Sequence, residues 1–335
     1  MFTFLKSNNP SVAALNLLLI VLFRIGFLLH PTDLSYLYKH TEPASQWLFR
    51  TCYIDGSTDL LWLTIAGGVL CFVESLLINR IINRHKVTTR KNFMGGLLFV
   101  LFSSLLPCCM VLSPVLIAML FLLIATDKVF ELGKPEKLLT DIFDLGFLSA
   151  LAMFFYFPAV YLIVFVLMGF FIMRTTSIQG LLLIMTGFIA ILAVVGTIYF
   201  WYDELHRWVP DIVNIKNRIA FSSIHISYWE RGILLWLTLA ALCVGAMMPA
   251  VLFSTVIQTR KYITILVVGG LLSIMAIVMM FNFNLSHLLF VAMPLSILYT
   301  VFFVETKMRR MPFILFSLLI LSVLAFVYLP IFISV

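Results

Sequence analysis

The stretch that decides the fold is FMGGLLFVLFSSLLPCCMVLSPVLIAMLFLLIAT, residues 93–126, in which no residue is charged. A transmembrane helix needs about 20 predominantly apolar residues, so this run is long enough for more than one crossing. Pro107 and Pro114 interrupt it, and proline ends or kinks a helix. We therefore predict two short spans with a tight turn near Pro107. One span followed by a re-entrant segment is the alternative.

The same apolar character extends over the rest of the chain. Of its 335 residues, 63% are hydrophobic and 11% are charged, and the mean hydropathy is +1.12. A soluble domain has about 45–50% apolar and about 25% charged residues, so water is the wrong solvent for this surface. Long continuous apolar runs indicate helices rather than a barrel. The predicted fold class is all-α: a single integral membrane domain, residues 1–335, folded as a polytopic transmembrane helical bundle.

Eleven apolar runs are predicted to cross the membrane, and the first is read as a retained span rather than a signal peptide. Most of the 22 Lys and Arg residues fall in alternate connections, for example in RIINRHKVTTRKN, residues 80–92, as cytoplasmic loops require. This pattern places the N-terminus inside and the C-terminus outside, provided that the run 93–126 and the run 143–173 each cross twice. The predicted spans are 11–29, 59–79, 93–107, 107–126, 143–158, 158–173, 178–201, 232–257, 262–281, 288–304 and 312–335.

Several function classes are excluded or disfavoured by what the sequence lacks. The net charge of +7 follows from the loop bias, and no basic patch alternates with exposed aromatic residues, so no nucleic-acid partner is predicted. No nucleotide-binding or hydrolase motif occurs, which excludes an ATP-driven pump within this chain. The five cysteines show neither metal-ligand spacing nor a disulfide framework. We predict no cofactor, because no motif supports even a divalent metal, and membrane lipids as partners.

Two long polar connections, residues 30–58 and 202–231, face outward in this topology and are predicted to contain interfacial helices. Most of the histidines fall on this outer face, with carboxylates and aromatic residues beside them. Such a face can supply a general base, cations for a phosphate and stacking surfaces. Polar loops at a membrane surface have a similar composition without any site, which is the competing interpretation. The candidate substrate-binding residues are Arg24, His30, Trp201, His206, Arg207 and His287.

Two charged residues fall inside predicted spans, Arg24 in the first and Glu74 in the second. Ionisable groups at such positions are costly and are functional candidates by default. Counting 1.5 Å per helical residue, their depths differ by roughly 14 Å, so we do not expect them to pair. Arg24 is expected to snorkel outward or to reach a phosphate at the outer leaflet. Glu74 is expected to snorkel inward or to carry a proton.

Two stretches resemble the glycosyltransferase C (GT-C) superfamily. FDLGFLSALAMFFYFPAVYLIVFVLMGFFIMR, residues 143–174, is similar to a hairpin of that superfamily, in which an aromatic or Pro break separates two apolar helices and Arg ends the second. NLSHLLFVAMPLSILYTVFFV, residues 284–304, is similar to its late helix, with His287 standing where Arg is usual and Pro294 matching a later Pro. The N-terminal layout, a span with Arg near its outer end and then a long outer loop, is also similar. Over most of its length the chain resembles a Bacteroidota family of multi-pass membrane proteins, which implies the bacterial inner (cytoplasmic) membrane.

The resemblance implies a GT-C-like fold and a polyprenyl-phosphate-dependent glycosyltransferase that works at the outer leaflet. An acidic residue of the first outer loop acts as base or binds metal in that superfamily, which implies catalytic roles for Asp33 and, behind it, Glu42. The usual Asp-Glu pair is absent, because Leu34 and Ser35 follow Asp33. This departure keeps open a non-catalytic subunit of an envelope complex, whose partners are other envelope membrane proteins. The charges inside the spans keep open a lipid or small-molecule transporter.

Overall fold

The structure is a computed structural model whose described part is all-helical, with ten α-helices, two short 3₁₀ turns and no strand among the described residues. It describes residues 11–29, 59–105, 109–133, 139–173, 177–203, 255–279, 285–306 and 310–333, together with single residues and pairs between 231 and 245. The helices are α1 (Ser11–Leu29), α2 (Asp59–Arg84), α3 (Met94–Ser104), α4 (Pro114–Glu131), α5 (Leu139–Phe155), α6 (Tyr161–Met173), α7 (Ile178–Trp201), α8 (Ile257–Met279), α9 (Leu289–Glu305) and α10 (Arg310–Ile333).

The helix lengths fit a membrane protein. Five helices, namely α1, α2, α7, α8 and α10, are long and apolar enough to cross a bilayer, whereas α3, α6 and α9 are shorter apolar helices. The helices α1 and α7 begin and end where the sequence predicts them, at residues 11–29 and 178–201. The helix α2 instead continues to Arg84, so the first residues of the predicted basic loop are helical. The predicted span 232–257 lies mostly outside the described residues.

Two helices form the centre of the bundle. Every residue of α3 is buried, and so is every residue of α9 from Leu289 to Phe303. The helix α3 contacts α1, α2, α9 and α10, and α9 also contacts α4 and α8. A helix that is apolar on all sides belongs in such an interior. The helices α7 and α10 instead expose large apolar side chains, such as those of Ile189 and Leu321, which suits helices that face lipid.

The run 93–126 folds as α3 and α4, and between them Pro107, the predicted turn, lies outside the described residues. We call residues 109–113, which belong to no α-helix, the non-helical segment. The helix α4 starts at a strong signal: Pro114 is its first residue, and the Ser113 hydroxyl accepts a hydrogen bond from the Leu116 amide. Just before it, the Leu112 amide donates to the Leu63 carbonyl in the first turns of α2, at 2.8 Å. We call this end of α2 the predicted outer end, and the end at Arg84 the predicted inner end.

The non-helical segment lies beyond the end of α3, at the predicted outer end of α2. The start of α3 is level with Asn79, whose side-chain oxygen accepts from the Gly96 amide, and its end is level with Cys71. The segment then continues to Leu63, and α4 returns from there to Arg84 at the predicted inner end. Leu63 and Arg84 are separated by roughly 30 Å along α2, about the thickness of the bilayer core. The helices α3 and α4 therefore run along α2 in opposite directions, as the prediction of two short spans requires.

Close contact between this segment and α2 depends on Gly67. Non-helical backbone at membrane depth is tolerated only where protein covers it. Cys109, Met110 and Val111 are buried accordingly. A Cβ on Gly67 would lie 2.5 Å from the carbonyl carbon of Val111 and 2.6 Å from the Leu112 nitrogen, so only glycine leaves room for this backbone.

We predict that Gly67→Ala lowers the free energy of unfolding by about 1–3 kcal/mol, because the added methyl group collides with backbone atoms that cannot rotate away. Chemical or thermal unfolding of the purified protein measures the change. Gly270→Ala in α8 is the matched control, since its Cβ would meet Pro294 at an ordinary 3.7 Å. Equal stability of the two variants would contradict the role given to Gly67.

Candidate functional site

The residues predicted to bind substrate have separate environments where the structure describes them. Trp201 ends α7 and is 84% exposed, next to the exposed Tyr202, as in an aromatic belt at a membrane interface. Arg24 and His287 are both buried, in different parts of the bundle. Five other predicted site residues lie outside the described residues: His30, Asp33, Glu42, His206 and Arg207.

Arg24 points into the protein. It is 6% exposed, its Nε donates to the Thr64 carbonyl and its Nη2 to the Cys109 carbonyl, each at 3.2 Å. Gly68 makes room for it, since a Cβ there would lie 3.0 Å from Nε. The expectation that Arg24 snorkels outward is therefore wrong. The non-helical segment before α4 offers a buried carbonyl, and a guanidinium with several donors satisfies that carbonyl and α2 together.

Arg24 also acts on a buried acid. Glu74 is fully buried, and neither of its carboxylate oxygens has a hydrogen-bond partner. The charge of Arg24 acts on Glu74 and on the thiol of Cys71, whose sulfur lies 3.5 Å from the Ser103 hydroxyl. As predicted, Arg24 and Glu74 do not pair, because no hydrogen bond or ion pair joins them among the described residues.

A second polar pair lies at the predicted outer end. The Tyr156 hydroxyl is hydrogen-bonded to Nδ1 of His287. Tyr156 lies at the break between α5 and the 3₁₀ turn that contains Pro158, as the sequence predicts, and His287 lies in the 3₁₀ turn before α9. The ring centroids of Tyr156 and Phe290 are 5.7 Å apart, which extends the contact into α9. The break of the 143–174 hairpin and the start of the 284–304 helix are thus joined.

Pro294 has a second effect on this junction. Proline has no amide hydrogen, so the Phe290 carbonyl four residues earlier loses its helical donor. The hydroxyl of Ser273 on α8 lies 3.4 Å from that carbonyl, and it is also 3.2 Å from the Tyr161 hydroxyl. These groups line a cavity of about 10 Å³, which has room for one water at most. These contacts therefore join α6, α8 and α9 at the position where Pro294 interrupts the hydrogen-bond ladder of α9.

The predicted inner end carries an ion-pair cluster that sequence reasoning missed. Asp127 accepts from Nη1 of Arg84 at 2.8 Å and pairs with Nε2 of His85 at 2.6 Å. Arg84 also pairs with Glu131, one helical turn after Asp127 on α4. Burial alone would raise the pKa of Asp127, but the bonds and charges of His85 and Arg84 hold it below its ordinary value. The spacing of Asp127 and Glu131 was visible in the sequence, but their partners are about forty residues away.

This inner cluster contains a set of metal-ligand types, because ligand atoms of His85, Asp127 and Glu131 lie within 4.8 Å of one another. Imidazole and carboxylate together suit divalent metals. Arg84, however, already pairs with both carboxylates and brings a permanent positive charge to the same place. The arrangement therefore fits an ion-pair cluster that fastens α2 to α4 better than it fits a metal centre.

Three of the polar contacts in this largely apolar bundle involve charged or titratable side chains of special interest. Each joins helix segments that the charge pattern predicts on the same side of the membrane: Arg24 with Cys109, Tyr156 with His287, and Arg84 with Asp127. No protein-family model matches the chain, and no curated protein or solved structure matches it either. The chemistry of the site is therefore inferred from these contacts and from the sequence.

We predict that Arg24→Lys lowers the free energy of unfolding by about 2 kcal/mol. Lysine keeps the charge but loses the planar fork that reaches two carbonyls at once. Unfolding monitored by circular dichroism measures the loss. Arg80→Lys, at an exposed position of α2, is the control and is expected to change stability by less than about 0.5 kcal/mol. A loss of stability no larger than that of the control would show that the two hydrogen bonds of Arg24 do not stabilise the fold.

We predict that Asp127→Asn lowers stability by about 1–3 kcal/mol at neutral pH, because it removes the anion that pairs with His85 and leaves Arg84 with Glu131 alone. The pKa of Asp127 is lowered in the folded state, so its contribution is present above the ordinary carboxyl value and is lost as pH falls through the folded value. The difference between wild type and variant should shrink below about pH 4. Asp144→Asn, at a more exposed partner of Lys128, should change stability by less than about 1 kcal/mol. A difference that does not depend on pH would contradict this assignment.

Proposed function

We propose that the chain is a GT-C-like protein of the bacterial inner membrane, with about eleven spans, that acts on a polyprenyl-phosphate-linked sugar or glycan at the outer leaflet. The observation that carries this proposal is the bond between Tyr156 and His287. It joins the two stretches whose sequences resemble the GT-C superfamily, at the end of the bundle that the charge pattern predicts to face outward.

The proposed roles follow from the position of each residue. Asp33 is the base, with Glu42 behind it, because both belong to the first outer loop. His287 is the residue that binds the phosphate, and the Tyr156 hydroxyl fixes its ring. The loop itself starts after Leu29 and ends before Asp59, so it leaves from two helices that Arg24 joins.

Arg24 has a changed role in this proposal. Two of its nitrogens bond to backbone carbonyls inside the protein, so it serves as a positioning residue for the first outer loop. The Tyr328 hydroxyl of α10 donates to the Leu22 carbonyl at 2.8 Å and fixes the same part of α1. Asp33 and Glu42 follow α1 in the sequence, and these contacts hold α1 in place near its end. A fixed starting point for the loop helps to keep a catalytic base in a defined position.

Binding and transfer test the proposal separately. Purified protein in lipid nanodiscs is titrated with a labelled polyprenyl phosphate, and transfer is followed with a polyprenyl-phosphate sugar. We predict that His287→Ala weakens binding about 10–100-fold, as expected for losing one charged hydrogen bond to phosphate. Asp33→Asn should leave binding within about 3-fold and reduce transfer at least about 100-fold, since general-base catalysis contributes at least that much.

Ile189→Ala, on the exposed face of α7, is the matched control and should change neither quantity. Tyr156→Phe keeps the ring and removes only the hydroxyl, so it should give a smaller loss of binding than His287→Ala. If His287→Ala and Asp33→Asn both leave binding and transfer unchanged, the transferase proposal fails.

A further inference from the structure

Glu74 is the one described side chain that combines full burial, a carboxyl group and no hydrogen-bond partner on either oxygen. It lies in the middle of α2, ten residues before the cluster at the predicted inner end. The proposed transferase function does not use it. A buried polar group without a partner calls for a physical explanation, and inside a membrane such a group is a candidate site.

Few ionisable groups surround Glu74. The helices packed against α2 are α1, α3, α4 and α9. Arg24 is the charged residue of α1, and Cys71 is the titratable neighbour on α2 itself. The helix α3 and the apolar part of α4, residues 114–126, contain no titratable residue. The helix α9 contributes Tyr299, whose ring makes an edge-to-face contact with Phe102, and Glu305, whose carboxylate accepts from the Thr89 amide.

Arg24 alone does not neutralise this carboxyl group. Its Nε and Nη2 are directed to the carbonyls of Thr64 and Cys109. An ionised carboxylate in an apolar interior is stable only with good pairing and with donors on its lone pairs, whereas a neutral carboxylic acid costs much less to bury. A metal cation is also disfavoured, because the Arg24 charge acts on the same group and Glu74 offers only two oxygens.

We propose that Glu74 is a proton-binding site inside the membrane, and that it carries a proton in the packed arrangement of the helices. The proton comes from water and returns to water, and no other bond is made or broken. Loss of the proton would leave a buried carboxylate with no hydrogen-bond donor on either oxygen, so release of the proton requires the surrounding side chains to rearrange.

Infrared difference spectroscopy on the protein in nanodiscs tests this site directly. A protonated carboxyl has a carbonyl stretch that an ionised carboxylate lacks, and the band shifts in heavy water. We expect this band in the wild type at neutral pH, its loss in Glu74→Gln, and its retention in Glu305→Gln as the matched control. Absence of the band in the wild type at neutral pH overturns the proposal.

Two further measurements distinguish proton binding from metal-cation binding and from an ionised pair with Arg24. If sodium at constant pH removes the band and choline does not, the site takes a metal cation and the proton assignment is overturned. The melting temperature of Glu74→Gln should equal or exceed that of the wild type, because Gln has the shape of the neutral acid. A melting temperature well below that of Glu305→Gln would instead show an ionised pair with Arg24. If Glu74→Gln does not fold, a shift of the band in Glu74→Asp replaces its loss as the expected result.

Discussion

The guanidinium of Arg24 joins three segments of the bundle: α1, the first turns of α2, and the non-helical segment before α4. Inside a bilayer each backbone carbonyl needs a donor from the protein itself, because water is absent. A helix break at that depth therefore needs a buried side chain that is long enough to donate hydrogen bonds to the carbonyls that the break leaves unpaired. Arg24 supplies it, and Gly67 and Gly68 leave the space in which it can do so.

The lengths and positions of α3 and α4 depend on that break. Because the chain leaves helical geometry after Ser104, α3 is short enough to be buried on all sides, and α4 can start level with the first turns of α2. The contact between Arg84 and Asp127 then fixes the other end of the same pair of helices. The ends of α1 and α2 are held in place, and they are the points from which the first outer loop departs and returns.

Hydropathy and length predicted the helices well, because a bilayer imposes a single requirement on every crossing segment. The break at Pro158 was predicted for an equally local reason, the missing proline amide, whereas Pro107 lies outside the described residues. The contact partners of individual side chains were harder to predict. The burial of Arg24 was not predicted, because its partners, the carbonyls of Thr64 and Cys109, are 40 and 85 residues away in the sequence. His85 and Asp127 meet only because α2 and α4 run side by side, and Asp33 and Glu42 lie outside the described residues.

An experimental structure in nanodiscs with native lipids retained tests the central claim most directly. If the protein acts on a polyprenyl-phosphate-linked sugar, a lipid with an elongated tail and a phosphate head should lie at the predicted outer end, with its phosphate near His287 and the loop that carries Asp33. If packed side chains or a second protein cover this end and no lipid phosphate reaches His287, the claim is contradicted, and the chain is better described as a subunit of a membrane assembly.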